Sequence, residues 1–316
     1  MPILRIQVKK VRFIANPFSG NNRKRNLPKL IEDNLDRELY DYELCYTEYA
    51  GHARKLAAEA AEAGYFMVVA CGGDGSVNEV AGSLVHTSTA MGVLPCGSGN
   101  GFAEHLGMGR NIPNAISLLN SGRLIRIDTA LLNEHPFVNL AGIGFDALVA
   151  KRFKESRVRG FIGYFLYTLN ESFKYRMLDV DIELDGKMMH RSCFLVEVAN
   201  APVYGYGFTI VPPAKFNDGK LEMLIVNKAP KWRYLLESWR FLNHSFHKSP
   251  LVECYTSERV SLRPKGPAAF HLDGEGYDLE GSAEISIVPK SLLVMAPKAY
   301  AESFAGVETE TSATLS

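Results

Sequence analysis

The stretch from Phe66 to Val80 reads F-M-V-V-A-C-G-G-D-G-S-V-N-E-V, and it predicts the fold of the first part of the chain. Its first six residues are apolar and rich in β-branched side chains, which is typical of a short strand buried on both faces. The three glycines that follow, Gly72, Gly73 and Gly75, allow the backbone to turn sharply and to lie close to a ligand. We therefore expect a buried strand that ends in a ligand-facing turn.

Ser76 and Asn78 favour the start of a helix after this turn, and Glu79 and Val80 continue it. A glycine turn at a helix N-terminus presents backbone N–H groups and the positive end of a helix dipole, which suits phosphate. Asp74 lies within the turn, where its carboxylate repels a phosphate unless it also holds a cation. The turn indicates a nucleotide bound together with a metal ion; an ordinary turn with a solvated Asp is the alternative.

The composition sets limits on the fold class and on the partners. At 316 residues the chain exceeds the usual size of one domain, so two domains are expected. Lys plus Arg and Asp plus Glu number 35 each, which gives no support to nucleic-acid binding. No apolar run reaches the roughly 18 residues of a membrane span, and the first residues are too polar for a secretory signal. The five cysteines have no close pair, so we expect a cytoplasmic protein with reduced thiols.

Strands and helices alternate through about the first 130 residues, which predicts a doubly wound parallel sheet with ligands at the carboxyl ends of its strands. Two further strands end in loops rich in Gly, Asn and Ser, at residues 16–20 and 95–100. Because such loops face the same crevice of a parallel sheet, we expect them to share one ligand. After Leu178 the pattern is mainly β, with hairpin signals such as Asp185-Gly186.

Seven motifs follow one another in the order in which they occur in the diacylglycerol kinase catalytic family, which includes bacterial soluble lipid kinases and sphingosine kinases, and the chain resembles that family. They are Asn16-Pro17-Phe18-Ser19-Gly20; Thr47 with Gly51-His52-Ala53; Gly72-Gly73-Asp74-Gly75-Ser76 with Asn78-Glu79; Pro95-Cys96-Gly97-Ser98-Gly99-Asn100; Gly142-Ile143-Gly144-Phe145-Asp146; Pro212-Pro213-Ala214 with Asp218-Gly219-Lys220-Leu221; and Asp273-Gly274-Glu275. Ser76 and Ser98 stand where the family often has Thr, and both keep a hydroxyl.

The resemblance implies an N-terminal doubly wound α/β nucleotide-binding domain and a C-terminal β-sandwich domain, as in NAD kinase and diacylglycerol kinase. We accordingly assign residues 1–130 to the first domain, 131–290 to a β-rich lipid-substrate domain and 307–316 to a flexible tail. The resemblance also implies that residues 291–306 rejoin the first domain.

The resemblance further implies transfer of the γ-phosphate of ATP to the hydroxyl of diacylglycerol, a sphingoid base or a related long-chain alcohol, with Mg²⁺. Asp74 would order the metal and its waters. The expected nucleotide-binding residues are Asn16, Pro17, Ser19, Gly20, Thr47, Gly72, Gly73, Gly75, Ser76, Asn78, Glu79, Gly97, Ser98, Gly99 and Asn100.

The proton acceptor implied by the resemblance lies in the Asp273-Gly274-Glu275 motif, and the choice between Asp273 and Glu275 is open. The alternative for this motif is a β-turn with solvated acids. The resemblance also implies a second, structural magnesium held by Asp218 with main-chain carbonyls of Lys215 and Lys220. His52 and His271 are expected to have structural or orienting roles.

The expected partner is a lipid at a membrane surface, reached by transient association, and the oligomeric state is open, a homodimer included. A basic cluster is the better candidate for anionic headgroups: Lys151, Arg152, Lys154, Arg157 and Arg159. An aromatic helix from Trp232 to Phe246 is a second candidate. For that helix we favour packing of its apolar face on the β-domain.

NAD kinases and phosphofructokinases share the Gly-Gly-Asp-Gly turn, so they are competing interpretations. Asn78-Glu79 directly behind the turn and the loop at 95–100 favour a lipid kinase. A non-catalytic lipid- or nucleotide-binding regulator is a further alternative, and the acids Asp74, Asp273 and Glu275 argue against it. A Rossmann dehydrogenase is disfavoured because the first strand lacks a G-x-G-x-x-G turn.

Overall fold

The computed structural model describes residues 8–17, 19, 26–97, 99–155, 175–201, 203–204, 208–209, 214–237, 239–243, 245–279 and 281–304. Two units are present in the chain: residues 1–127 with 290–316 form the first unit, and residues 128–289 form the second. Among the described residues, every helix is too short or too polar to cross a bilayer.

The first unit contains a parallel sheet in the order β4-β3-β1-β2. Its strands are β1 (Lys9–Ala15), β2 (Tyr40–Tyr46), β3 (Met67–Gly72) and β4 (Ala90–Pro95). Both β3 and β4 are buried along their whole length, which explains their continuous apolar sequence. Ala15 pairs with Cys71 and Gly72 pairs with Pro95, so β1, β3 and β4 end at the same edge of the sheet.

In the part of this unit that the structure describes, five helices connect the strands: α1 (Leu27–Asn34), α2 (His52–Glu62), α3 (Asp74–Leu84), α4 (Gly101–His105) and α5 (Ile112–Ser121). Residues 298–304 are also helical. The expected helix start at Ser76 or Asn78 is wrong, because α3 already begins at Asp74, directly after an extended Gly73 with φ −93° and ψ −171°. An acidic residue in the first turn is favourable at the positive end of the helix dipole.

The second unit is mainly antiparallel. Its elements are β6 (His135–Phe137), β7 (Leu140–Gly144), α6 (Phe145–Glu155), β8 (Leu178–Leu184), β9 (Lys187–Ala199), β10 (Val203–Tyr204), β11 (Phe208–Thr209), β12 (Leu221–Asn227), α7 (Lys231–Glu237), α8 (Trp239–Leu242), β13 (Val252–Ser257), β14 (Arg259–Pro264), β15 (Ala268–Leu272) and β16 (Glu275–Leu279). Two strands contain residues of both units, β5 (Arg123–Leu132) and β17 (Ala283–Ala296).

Alternating side chains of these strands form one apolar core, which includes the fully buried Ile143, Val196 and Ile225. The predicted Asp185-Gly186 hairpin joins β8 to β9, and both turn residues have the positive φ, 47° and 79°, that a two-residue turn of this type requires. The predicted combination of an N-terminal doubly wound α/β domain with a C-terminal β-sandwich is confirmed.

Candidate functional site

Three loops of the first unit meet at the carboxyl ends of its strands. The Asn16 N–H donates to the Cys71 carbonyl (3.3 Å), and the Thr47 N–H donates to the Ala15 carbonyl (2.9 Å). The Ser19 hydroxyl donates to the Asn16 carbonyl (3.2 Å), and its oxygen would lie 3.8 Å from a Cβ added to Gly72 at the end of β3. The loops after β1, β2 and β3 are therefore neighbours.

The loops after β3 and β4 touch through their glycines. A Cβ added to Gly97 would lie 2.3 Å from the Gly73 Cα, and one added to Gly72 would lie 2.3 Å from the Ser76 hydroxyl oxygen. None of these glycines has a positive φ, so crowding and not an unusual dihedral requires glycine here: the Gly73 backbone crowds Gly97, and the Ser76 side chain crowds Gly72. The contact leaves main-chain groups of both loops side by side at the edge of the sheet.

Asn100 fixes the loop after β4. Its side-chain oxygen accepts the Gly97 N–H (2.7 Å), and its amide nitrogen donates to the Gly97 carbonyl (2.8 Å). The residue is buried and has a left-handed φ of 56°, which Asn tolerates better than most residues. Asn100 thus supports the loop after β4, and its polar groups point into that loop.

Asp74 lies at the first position of α3, between the two glycine loops. One of its carboxylate oxygens accepts the N–H of Phe102 at the start of α4, over a distance of 3.4 Å. A carboxylate among N–H groups at a helix N-terminus competes with an anion for the same positive end. This donor set fits a hard cation such as Mg²⁺, which prefers carboxylate oxygen and keeps several waters.

Glu79 has a role that the sequence reasoning missed. Its two carboxylate oxygens accept the N–H groups of Gly51 (2.9 Å) and Ala53 (3.1 Å) at the N-terminus of α2. Gly51 has a left-handed φ of 86°, and His52 accepts the Glu48 N–H (3.1 Å), so the turn before α2 is held from two sides. Glu79 therefore ties α3 to the turn that carries Thr47.

The structure brings most of the predicted nucleotide-binding residues to one edge of the first unit. Pro17 follows Asn16 in the first loop, Gly99 lies in the last one, and Gly75 and Asn78 are part of α3. Gly20 and Ser98 lie outside the described residues.

The Asp273-Gly274 turn of the second unit is a tight hairpin between β15 and β16. Both residues have positive φ, 47° and 86°. The Asp273 side chain folds back onto the start of β7 and the two residues before it. One oxygen accepts the N–H groups of Asn139 and Leu140 (both 2.9 Å), and the other accepts that of Val138 (3.2 Å). Asp273 is 9% exposed, so the alternative of solvated acids does not apply to it.

Glu275 differs from Asp273 in its surroundings. It begins β16 and is partly exposed, and its carboxylate accepts the hydroxyl of Tyr277 (3.2 Å). The Glu275 side chain is therefore more accessible than that of Asp273, which is buried against the backbone of residues 138–140.

His271 is fully buried beside this turn, in a cluster with Asp146 and Glu197. Its Nε2 lies 2.7 Å from an Asp146 oxygen and 3.1 Å from a Glu197 oxygen. One ligand atom of each residue falls within 4.8 Å of the others, as a metal site requires. The Gly274 N–H points at Nδ1 (3.4 Å), however, and this leaves the ring hydrogen on the nitrogen that would face a metal. These hydrogen bonds account for the cluster without a metal ion. Through the bond from the Gly274 N–H, His271 also supports the hairpin.

The loop that carries Asp218 is held by a second acid, Asp128, which the sequence reasoning also missed. Asp128 is buried, accepts the Gly219 N–H (2.8 Å) with its side chain, and donates its own N–H to the Phe216 carbonyl. An Asp218 oxygen accepts the Lys220 N–H (3.1 Å). Asp218 is exposed as a residue, but partial desolvation of its carboxyl raises the pKa, a cost that a bound cation would offset.

The two surfaces that were candidates for membrane contact are described by the structure to different extents. In the basic cluster Lys151 forms an ion pair with Asp278 (2.6 Å), while Arg157, Arg159 and the side chain of Lys154 lie outside the described residues. The expected packing of the aromatic helix on the β-domain is wrong for Trp232 and Trp239, which are exposed.

Comparison with known proteins gives two family matches: residues 10–132 match the diacylglycerol kinase catalytic domain, and residues 139–296 match the YegS C-terminal NAD kinase beta sandwich-like domain. A diacylglycerol kinase of Staphylococcus saprophyticus is 31% identical over 287 residues, which cover 87% of this chain and 92% of the relative.

Two solved structures show the same fold. A diacylglycerol kinase from Bacillus anthracis strain Sterne matches with a TM-score of 0.70 at 21% identity, over 93% of this chain and 99% of its own. An NAD kinase from Archaeoglobus fulgidus in complex with ATP matches with a TM-score of 0.52 at 12% identity, over 94% of this chain and 97% of its own.

Proposed function

Since this chain belongs to the diacylglycerol kinase catalytic family, we propose that it is an ATP-dependent lipid kinase that transfers the γ-phosphate of ATP to the hydroxyl of a membrane lipid. The acceptor class is diacylglycerol, a sphingoid base or a related long-chain alcohol. The observation that carries the proposal is the backbone contact between Gly73 and Gly97, which joins two glycine loops beside the acidic N-terminus of α3.

In this proposal the loops of the first unit bind the nucleotide. Main-chain N–H groups beside Gly73 and Gly97 donate to phosphate oxygens, as N–H groups at helix N-termini and in nests do elsewhere. Asn16, Ser19 and Thr47 contribute polar groups at the neighbouring strand ends. Glu79 and Asn100 act through the backbone, because their side chains hold the turns that present these donors.

Asp74 holds Mg²⁺ in the proposed complex. When bound, the ion neutralises charge on the phosphates, which supplies much of the catalysis of phosphoryl transfer. The Phe102 N–H keeps the Asp74 side chain at the helix start, where it lies close to both glycine loops.

We assign the proton acceptor to Glu275 and give Asp273 a positioning role. A general base needs a free lone pair within reach of the substrate hydroxyl. The Asp273 oxygens already accept three backbone N–H groups, so this side chain shapes the hairpin and sets the direction of β16. Glu275, two residues further on, is partly exposed, so its carboxylate is accessible to a substrate hydroxyl.

The Asp218 loop is proposed as a structural magnesium site, with main-chain carbonyls of Lys215 and Lys220. We expect Mg²⁺ in about tenfold excess over its dissociation constant to raise the midpoint of thermal unfolding of the wild type by about 2–4 °C, because binding stabilises only the folded state. Measured without ATP, so that the nucleotide-linked ion at Asp74 does not contribute, Asp218→Asn should show no such rise, while the exposed Asp179→Asn should respond as the wild type does. A rise of equal size in Asp218→Asn would contradict the site.

The proposed function is tested by incubating the protein with labelled ATP, Mg²⁺ and an extracted lipid mixture. Label is expected in one lipid class that carries a free hydroxyl, and fractionation of the lipids identifies it. Parallel incubations with NAD and with sugar phosphates address the competing kinase functions. Label in NAD or in a sugar phosphate, or ATP binding with no transfer to any acceptor, would overturn the proposal.

A further inference from the structure

Three large apolar side chains point into solvent from one short segment of the second unit. Trp232 and Leu236 on α7 are 61% and 63% exposed, and Trp239 on α8 is 52% exposed. We call these three residues the tryptophan surface. The sequence contains two tryptophans, and both belong to it. Burying such side chains is favourable, so their shared exposure indicates a surface that meets another phase or molecule.

The opposite face of α7 explains why these side chains point outward. The Tyr234 hydroxyl accepts the Ala229 N–H and donates to the Asn227 carbonyl (both 2.8 Å), and its ring packs on Phe194 at 4.8 Å between centroids. Trp232 and Leu236 lie two positions to either side of Tyr234, which is about 200° around a helix of 3.6 residues per turn. Anchoring Tyr234 to the sheet therefore turns both toward solvent.

The charges around the tryptophan surface are mostly positive. Residues 228–248 contain five basic side chains and one acidic side chain, Glu237. Glu237 is paired with Arg240, whose guanidinium lies 5.0 Å from the Trp239 ring centroid. Lys231 and Arg233 flank Trp232 and are exposed. The surface combines indole rings with a surplus of cations.

We propose that the tryptophan surface docks this protein on the headgroup region of a bilayer that contains anionic lipids. Indole rings favour the boundary between acyl chains and water, and Lys and Arg near that boundary are attracted by anionic headgroups. A second copy of the chain fits the surface less well, because two-fold association would bring the same cations face to face. The inference rests on the proposed lipid-kinase function for its purpose, since docking would hold the enzyme where its acceptor is found.

Because both tryptophans lie on this surface, their intrinsic fluorescence reports on it without any substitution. With vesicles of phosphatidylcholine and phosphatidylglycerol we expect the emission maximum to move to shorter wavelength, and brominated acyl chains to quench it. An emission maximum that stays unchanged with these vesicles would overturn the proposal. A shift that appears without vesicles when the protein concentration rises would overturn it in favour of self-association.

Substitution supplies the second readout. The double variant Trp232→Ser with Trp239→Ser is expected to sediment with the mixed vesicles at least about tenfold more weakly than the wild type, since each ring contributes burial energy at the interface. The control Met188→Ser replaces another exposed apolar side chain of the second unit, 57% exposed, and should sediment as the wild type does. Equal sedimentation of the double variant and the wild type would overturn the proposal.

Activity on a short-chain, water-soluble diacylglycerol separates docking from chemistry. The double variant is expected to phosphorylate this acceptor at the wild-type rate, because the acceptor needs no bilayer. If its activity on the soluble acceptor fell by as much as its vesicle binding, the two tryptophans would be assigned to the reaction and a docking role would be overturned. If the wild type transfers phosphate to no lipid while the vesicle-induced emission shift persists, the proposed function fails and the docking surface stands.

Discussion

Asp74→Asn is expected to lower the rate of phosphoryl transfer by about a thousandfold or more and to leave the folded structure intact. Asparagine has nearly the same shape and keeps an oxygen that can accept the Phe102 N–H. It lacks the negative charge that a hard cation requires from its ligand. The initial rate of transfer from labelled ATP to the lipid class that accepts label in the assay proposed above measures the loss, and thermal unfolding measures the stability.

Asp41→Asn is the matched control for this prediction. Asp41 lies in the same unit, on β2, and its side chain is 64% exposed in an ion pair with Arg37. Exposed ion pairs contribute little, so we expect a transfer rate within about twofold of the wild type. Full activity in Asp74→Asn would exclude the metal-ordering role and favour the interpretation of an ordinary turn acid.

The sequence predicts the elements of the first unit well because their local patterns are strong. The apolar run from Phe66 to Cys71 predicts a buried strand, and β3 spans Met67–Gly72. A strand buried on both faces must be apolar at every position, so a continuous apolar run marks it. Ser76 and Asn78 predict a start of α3 that is at least two residues too late, because Ser and Asn have higher capping propensity than the extended Gly73 that precedes the helix.

Contacts between distant parts of the chain could not be predicted in this way. Glu79 accepts N–H groups 28 and 26 residues away, and Asp273 accepts N–H groups more than 130 residues away. Helical spacing showed that Trp232 and Leu236 share a face, but not which way the face points. The hydrogen bonds of Tyr234 to residues before α7 decide that direction, and they depend on where β12 ends.

Asp273→Asn is expected to lower the free energy of unfolding by about 2–4 kcal/mol, as judged by chemical denaturation, because it removes a buried charged acceptor of three N–H groups. An asparagine side chain has one accepting oxygen, and its NH₂ group would face at least one of these donors. Activity should fall with the folded fraction and partly recover at low temperature. Loss of activity with unchanged stability would show that Asp273 takes part in the chemistry itself.

Glu275→Gln is expected to give the opposite result, because Glu275 is partly exposed and its carboxylate is proposed to accept the hydroxyl proton. Stability should stay near that of the wild type, while the transfer rate falls by about a hundredfold to ten-thousandfold, the usual contribution of a general base. Gln can still accept the hydrogen bond from Tyr277, so this contact is kept while the proton-accepting charge is removed. Exposed Glu258→Gln in the same unit should change neither quantity. A fully active Glu275→Gln beside a stable, inactive Asp273→Asn would reverse the two assignments, since the acid that accepts the proton cannot be replaced by its amide without losing the reaction.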